Sequence, residues 1–337
     1  MKDIAKDLGL SVVTISKVLR NHPDIGEETR ARVLKHVKER DYQPNILARS
    51  LATGRSDLIG LIVPDLIHPF FAEIAKALSL AIRPSGFSLI ISSSEDDAEL
   101  EAMEIRQFLA RGLDALVIAS TADSGKQFNR LEEHQHPYVL IDRQFDGHAA
   151  NFVGINDVAA GRLATEHLFD VGCGRIAHIS ARGTSTGVGR LEGYKQGLAR
   201  HGLPYSEEYV VSRKTVDGES RQQGADAMRS LLNQQPPPDG VFCFNDPLAI
   251  GALDAILDAG MRIPQDVAVI GCGNLHYDSA LRVPLSSVDQ HSSDIGQRAA
   301  EIVLSLLESK EKLETRSIVL EPALLMRAST DRHFHRG

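Results

Sequence analysis

Four residues near the N-terminus, Ala5, Gly9, Ile15 and Val18, restrict how this chain can begin to fold. Their spacing fits two short helices crossing at a steep angle. Ala5 is small where the second helix must pass close over the first. Gly9 falls at the turn, where a positive φ costs glycine least. Ile15 and Val18 lie three apart, so they share one helical face and can close a small core. Ser11 then sits at the N-cap of the second helix, where its hydroxyl can accept an orphan backbone N–H. A third helix is expected from about Glu27 to Glu39, with Gly26 as N-cap, Glu27 and Glu28 in its first turn, and Val33 and Val37 as its buried stripe.

This helix-turn-helix leaves Val12, Val13, Thr14, Ser16 and Lys17 facing outward. Exposed β-branched residues are disfavoured on a helix. A surface of Val-Val-Thr is better explained as one that meets thymine methyls and sugars in a major groove. Val12, Val13 and Lys17 are therefore the candidate base readers, with Ser11, Thr14 and Ser16 positioning the backbone. Charge agrees. Residues 1–56 hold 11 Lys/Arg and 7 Asp/Glu, a net of +4, whereas the whole chain carries −8, which leaves −12 for residues 57–337. A basic headpiece on an acidic body attracts phosphate at one end only.

The stretch "YQPNILARSLATGRS" reads as a hinge helix over residues 44–56. Pro44 suits a helix start, and Asn45 can cap. A helix of about eight residues is too short to hold alone in water, so its folding should be coupled to binding. Asn45 and Arg49 are expected to contact backbone, and Leu51 to wedge between base steps in a minor groove.

After Arg55 the sequence alternates short apolar runs with amphipathic segments. The strands expected are "LIGLIV", "FSLIIS", "ALVIAS", "YVLI", "IAHIS", "GVFCF" and "VAVIG", with "FVGINDVAAG" switching from a strand into a new helix start. The helices expected lie near 70–83, 97–111, 157–170, 188–201, 220–233, 246–259 and 293–309. Continuous buried runs separated by helices predict parallel sheets covered on both faces. There are too many strands for one comfortable sheet, so the fold class expected is α/β, with two doubly wound lobes following an all-α headpiece. The first lobe should end near 154–157. A small ligand should bind in the cleft between lobes, outside the carboxyl ends of the strands.

Residues just past strand ends are the candidates for that cleft: Asp65, His68, Phe70 and Phe71, then Asp142 and Arg143, Asn245 and Asp246, and Gly273 and Asn274. Asp, Asn and Arg gathered in a dry cleft can fix the hydroxyls of a polyol. Asp246 precedes Pro247 and is read as a helix cap rather than a ligand contact. His68, before Pro69, fits a helix start as well as it fits the cleft.

Catalysis finds little support. There is no P-loop, no nucleophile elbow, and neither "VGCGR" nor "GTSTGVG" has dinucleotide-fingerprint spacing. The histidines of "EEHQH" and "HFHRG" read as solvated surface and tail, and no metal or cofactor is expected. Cys173, Cys243 and Cys272 are far apart in apolar surroundings and read as buried free thiols of a reducing cytoplasm. The 42% hydrophobic and 24% charged content is ordinary for a soluble protein. No apolar run reaches the roughly 18 residues of a membrane span, and no signal peptide opens the chain.

The chain resembles the lac repressor/galactose repressor family of bacterial regulators. The matching residues are "DIAKDLGLSVVTISKVL", "YQPNILARSLATGRSDLIGLIVPD", "HPFFAEIA", "VLIDR", "GRLEGY", "FNDPLAIGAL", "DVAVIG" and "LSSVDQ", in order over nearly the whole length. The resemblance implies a periplasmic-binding-protein-like body whose chain crosses between lobes three times, the second time near 286–291 and the third near 313–318. The domains expected are thus residues 1–43, the hinge 44–56, a first lobe of 57–155 with 290–314, and a second lobe of 156–289 with 315–332. It also implies a homodimeric repressor that binds a palindromic DNA operator, with Asp142, Arg190, Asn245 and Gln290, and more loosely Asp65 and Phe70, as contacts for a sugar-like effector. Two departures stand out. Gly273 occupies a position where sugar-binding members often carry Asp, and the chain has no Trp to stack on a pyranose. The start "MKDIA" lacks the Ser/Thr usual before helix 1, which removes an N-cap and a phosphate contact, so either a start upstream of Met1 or a weakened headpiece is expected. No C-terminal heptads predict a coiled-coil tetramer. The rival readings are a solute-binding transport protein with the same body and a sugar-processing enzyme.

Overall fold

The computed structural model describes residues 2–19, 22–40, 54–122, 125–145, 147–213, 219–309, 311 and 313–332. It divides into two compact units, Met1–Ser56 and Asp57–Gly337.

The first unit holds three helices, α1 (Lys2–Leu8), α2 (Val12–Leu19) and α3 (Glu27–Glu39). Ile4, Ala5, Ile15, Val18 and Val33 are buried together, with Leu8, Leu10 and Val37 packed around them. Gly9 has φ +62°, the turn geometry its position requires. Ser11 Oγ accepts the amide of Thr14 at 3.0 Å and so caps α2. Gly26 precedes α3 in extended backbone and supplies no side-chain cap.

The second unit contains two six-stranded sheets. In chain order its elements are β1 (Leu58–Val63), α4 (Pro69–Ile82), β2 (Ser88–Ser93), α5 (Ala98–Ala110), β3 (Ala115–Ile118), α6 (Asn129–Glu133), β4 (Tyr138–Ile141) and β5 (Phe152–Ile155). Then follow α7 (Asp157–Asp170), β6 (Ile176–Ala181), α8 (Ser185–Arg200), β7 (Val210–Arg213), α9 (Ser220–Leu232), β8 (Gly240–Cys243), α10 (Asp246–Asp258), β9 (Ala268–Gly273) and β10 (Ser286–Asp289). Last come α11 (Ser292–Glu308), β11 (Ser317–Leu320) and β12 (Ala323–Leu325). The first sheet runs β11-β5-β4-β3-β1-β2 and is parallel throughout. The second runs β12-β10-β9-β8-β6-β7, parallel except where β12 meets β10. This is the α/β pair of doubly wound lobes that the apolar runs predict.

Side-chain caps start most of the helices. His68, Asp97, Asn156, Thr184 and Asn245 each accept a backbone amide two or three residues on. Asp246 is not the cap of α10. That role falls to Asn245, whose Oδ1 accepts Leu248 N at 3.0 Å, and the Asp246 carboxyl turns inward instead.

The chain passes between the sheets after β5, after β10 and after β11. The third passage therefore falls at Glu321–Pro322, not near 313–318. Residues 317–320 form β11 beside β5 and belong with the first lobe, because "SIVL" is a short half-exposed run that completes that sheet's edge. The strands that the sequence pattern passes over, β7, β10, β11 and β12, are each three or four residues long. Three of them, β7, β11 and β12, are edges, and β10, "SSVD", is buried through serine hydrogen bonds around its one apolar side chain, Val288.

Helices α7 and α8 approach backbone to backbone. A Cβ on Gly193 would stand 2.0 Å from the carbonyl oxygen of Val158, and one on Gly161 would stand 2.1 Å from that of Arg190. Only glycine lets the two helices come this close, and the approach fixes where α8 holds Arg190.

Candidate functional site

The cleft between the lobes is built from strand ends. Beyond β1 the chain turns at Pro64 and Asp65, whose Oδ1 accepts Ile67 N at 2.7 Å. His68 follows, and its Nδ1 accepts Phe70 N at 3.2 Å. That bond puts the imidazole proton on Nε2. Burial, then the nearby Arg190 and Arg143, push the His68 pKa down to about 4, so the ring is neutral at pH 7. Phe70 and Phe71 pack edge-on against it. His68 is thus both a helix cap and a cleft wall.

Beyond β4, Asp142 has φ +63°, a conformation that costs a non-glycine residue and recurs at ligand sites. Its carboxyl is raised by burial, against the pull of Arg143 and Arg190. Arg143 Nη1 donates to Asp96 Oδ1 at 3.0 Å and to the Ser120 carbonyl at 3.3 Å, while its Nε lies 3.8 Å from Asp142. The Ser120 loop is anchored by buried Glu101 on α5, which accepts Ser120 Oγ at 2.6 Å, Thr121 N at 2.6 Å and Thr121 Oγ1 at 3.1 Å. A buried glutamate therefore positions the arginine's partner.

The second lobe contributes Arg190, Thr186, Phe244 and Asn245. The Arg190 side chain is 2% exposed. Its Nε donates to Asp157 Oδ1 at 2.8 Å, Nη1 to the Phe244 carbonyl at 2.6 Å, and Nη2 to Gln290 Oε1 at 2.7 Å. The guanidinium also lies 4.5 Å from the centre of the Phe244 ring. Burial lifts Asp157 to about 7, with Arg190 opposing it. One arginine thus joins the start of α7, the end of β8 and the second passage between lobes.

Nine cleft residues expected from sequence meet around one cavity: Asp65, His68, Phe70, Phe71, Asp142, Arg143, Arg190, Asn245 and Gln290. Gly273 and Asn274 do not line it. The Asp246 carboxylate fills the space beside Gly273, where a Cβ would stand 2.5 Å from Oδ2. Asn274 is held by its own lobe: Arg327 Nη2 donates to its Oδ1 at 2.6 Å and its Nδ2 donates to Asp289 at 3.2 Å. Glu95, Asp96, Thr186 and Phe244 are additional lining residues. Strand-end logic reaches Glu95 and Asp96 just past β2, and Thr186 is four residues before Arg190 on one face of α8.

On the headpiece, Val12 and Val13 are 40% and 63% exposed. Thr14 bonds Ser11 through both hydroxyls at 2.9 Å. Lys17 lies 2.5 Å from Asp24, which also holds His22 at 2.6 Å. Arg30 and Arg32 donate to the carbonyls of His22 and Leu8, so part of the basic charge is pinned to the fold. Ser16 lies on α2 with these residues. Asn45, Arg49 and Leu51 lie outside the described residues.

Among the described residues no group of three or more His, Cys, Asp or Glu could hold a metal ion, and no helix is long and apolar enough to cross a membrane. Burial raises the thiols of Cys173 and Cys272 to about 12, far from nucleophilic.

A three-helix unit with an outward Val-Val face precedes a two-lobed body whose polar cleft sits at strand ends. Residues 1–45 match the family model of bacterial regulatory proteins of the lacI family, and residues 56–327 match that of periplasmic binding proteins and the sugar-binding domain of the LacI family. The chain belongs to the LacI family. Among curated family members, the ribose operon repressor of Escherichia coli K12 is 30% identical over 332 residues, covering 98% of this chain and 99% of its own. Among solved LacI-family structures, a transcriptional regulator from Silicibacter pomeroyi superposes with a TM-score of 0.82 at 27% identity, covering 98% of this chain and 99% of that one. The CelR regulator in complex with cellobiose superposes at 0.74 and 27% identity, covering 97% and 98%. These family members are regulators rather than enzymes, and the lobed body here is of the kind that binds sugars.

Proposed function

We propose that this protein is a cytoplasmic, homodimeric repressor that releases or holds a palindromic operator according to an uncharged sugar bound in the inter-lobe cleft. The observation that carries the sugar reading is the convergence of Asp142, Arg190, Asn245 and Gln290 on one cavity. Carboxylate and amide acceptors with a fixed guanidinium suit vicinal hydroxyls. The CelR–cellobiose neighbour and the ribose repressor relative support the same class. An anionic sugar is disfavoured. Four carboxylates, Asp65, Glu95, Asp96 and Asp142, line the cavity against two arginines, and Arg190 already bonds Asp157, Gln290 and Phe244.

A thermal-shift panel of pentoses, hexoses and β-linked disaccharides beside their phosphates tests this. A ligand at about a hundredfold its Kd stabilises by roughly 2.7 kcal/mol, a rise on the order of 5 °C for a protein this size. A neutral sugar should give that rise and its phosphate ester should not. A panel in which only phosphorylated sugars raise Tm rejects the reading.

The homodimer reading rests on the first lobe. Its edge strand β2 leaves Ile91 exposed, and a groove beside it is lined by Val63, Phe71, Ala72, Ala75 and Leu89, with Leu66, Ile67 and Leu80 exposed near it. An open edge strand beside an exposed apolar patch calls for a partner, and a second copy supplies a self-complementary one. Val12, Val13 and Lys17 are the base readers, with Ser11, Thr14, Ser16, Asn45, Arg49 and Leu51 on the backbone and hinge. Lys17→Ala should weaken operator binding about tenfold and lower its salt dependence, a change of roughly 1–2 kcal/mol. A two-half-site duplex should bind far more tightly than a single half-site. Equal affinity of wild type and Lys17→Ala, or of whole and half operators, would remove Lys17 or the dimer from the proposal.

A further inference from the structure

Behind the Asn245 end of the cleft, two carboxyl groups are buried together. Asp246, the first residue of α10, is fully buried. Its Oδ1 accepts Ser287 Oγ at 2.7 Å and its Oδ2 accepts Leu275 N at 3.3 Å. Gly271 and Gly273 make room for it, since a Cβ on either would stand within 2.5 Å of its oxygens. Asp278 faces it from the connection between β9 and β10 and is also fully buried. Neither Asp278 carboxyl oxygen has a partner at full hydrogen-bond geometry among the described residues, and the only backbone amide that favours its charged form, that of Leu275, is bonded to Asp246.

Two buried acceptors side by side repel unless a proton lies between them. The other charged groups around the pair relieve it only in part: Arg327 draws both carboxyls down, but less than burial raises them. Arg327 is the nearby cation, but its Nη1 is on the Leu285 carbonyl at 2.7 Å and its Nη2 on Asn274. Asp289, at the end of β10, is held by Asn274, and Cys243 faces the pair from β8 as a neutral thiol.

We propose that Asp246 and Asp278 share one proton, which fastens the loop after β9 to the start of α10 and makes Asp278 a positioning residue for Asn245 in the cleft. Burial and the charge of Asp246 raise the Asp278 carboxyl to about 9, while burial also raises Asp246, so the pair keeps its proton at neutral pH. The folded value of Asp278 lies above its ordinary 3.8. Its contribution to stability is therefore full below that ordinary value and is lost as pH rises through the folded value.

Asp278→Asn keeps a donor toward Asp246 but cannot ionise. The Tm of wild type relative to Asp278→Asn should fall by about 2 °C per pH unit between pH 5 and 9. Asp278→Leu, which fills the space without a donor, should lie below Asp278→Asn at every pH. In wild type labelled with ¹³C at aspartate carboxyls, one resonance should titrate above pH 8 and vanish in Asp278→Asn. The wild-type titration itself needs no variant to fold. Parallel Tm curves, or every carboxyl ionised by pH 8, overturn the shared proton. So does a wild-type Tm that depends on sodium or potassium at fixed ionic strength, which would put a cation between the carboxylates.

Discussion

Arg190→Ala is expected to destabilise the second lobe by about 3–5 kcal/mol, the cost of removing one member of a buried, hydrogen-bonded charge pair. The truncation strips donors from Asp157, Gln290 and the Phe244 carbonyl at once and empties the space over the Phe244 ring. Arg190→Lys keeps the charge but has no planar fork, so it should recover only part of the loss. The gap should also widen with pH. Burial already holds Asp157 near 7 with the guanidinium beside it, and without Arg190 its folded value rises further. Stability of the alanine variant then drains away as Asp157 ionises. Urea denaturation at pH 6 and pH 8 measures both effects. A variant within about 1 kcal/mol of wild type at both values would mean the three hydrogen bonds contribute little.

Gly193→Ala should rival that loss from a single added methyl. Its Cβ would meet the Val158 carbonyl oxygen at 2.0 Å and the Arg162 amide nitrogen at 2.7 Å. Both are backbone atoms, so no side chain can swing away and α7 and α8 must separate. Overpacking of this kind costs about 1–3 kcal/mol, and a backbone obstacle puts it at the upper end. Since α8 carries Arg190 and Thr186, the displacement should also weaken sugar binding in the cleft. Gly174→Ala is the control. Its Cβ would come no closer than 4.0 Å to Asp239 Oδ2, and it should stay within about 0.5 kcal/mol of wild type. Equal stability of the two alanine variants would show that the helices yield without cost.

The residues that carried the most information in the sequence are those whose physics is local. Gly9, Ile15 and Val18 announce a helical turn because turn geometry and helical spacing are read within a few positions. Continuous runs such as "LIGLIV" announce central strands for the same reason. Strand-end logic then reaches most of the cleft, and it fails where the answer depends on a distant neighbour. Gly273 looks vacant in sequence, yet the Asp246 carboxylate from another element occupies the space beside it. Asp246 looks like a cap, but Asn245 beside it has the better reach to Leu248. The short strand β11 escapes notice because its partner, β5, lies about 160 residues earlier.

The three passages between sheets have a mechanical consequence. A body joined by one strap can swing and twist in any direction. One joined by three straps side by side, after Ile155, after Asp289 and after Leu320, is left with little more than folding about the line through them. Whatever enters the cleft therefore has its binding energy delivered along one coordinate, like a door that can only open or shut.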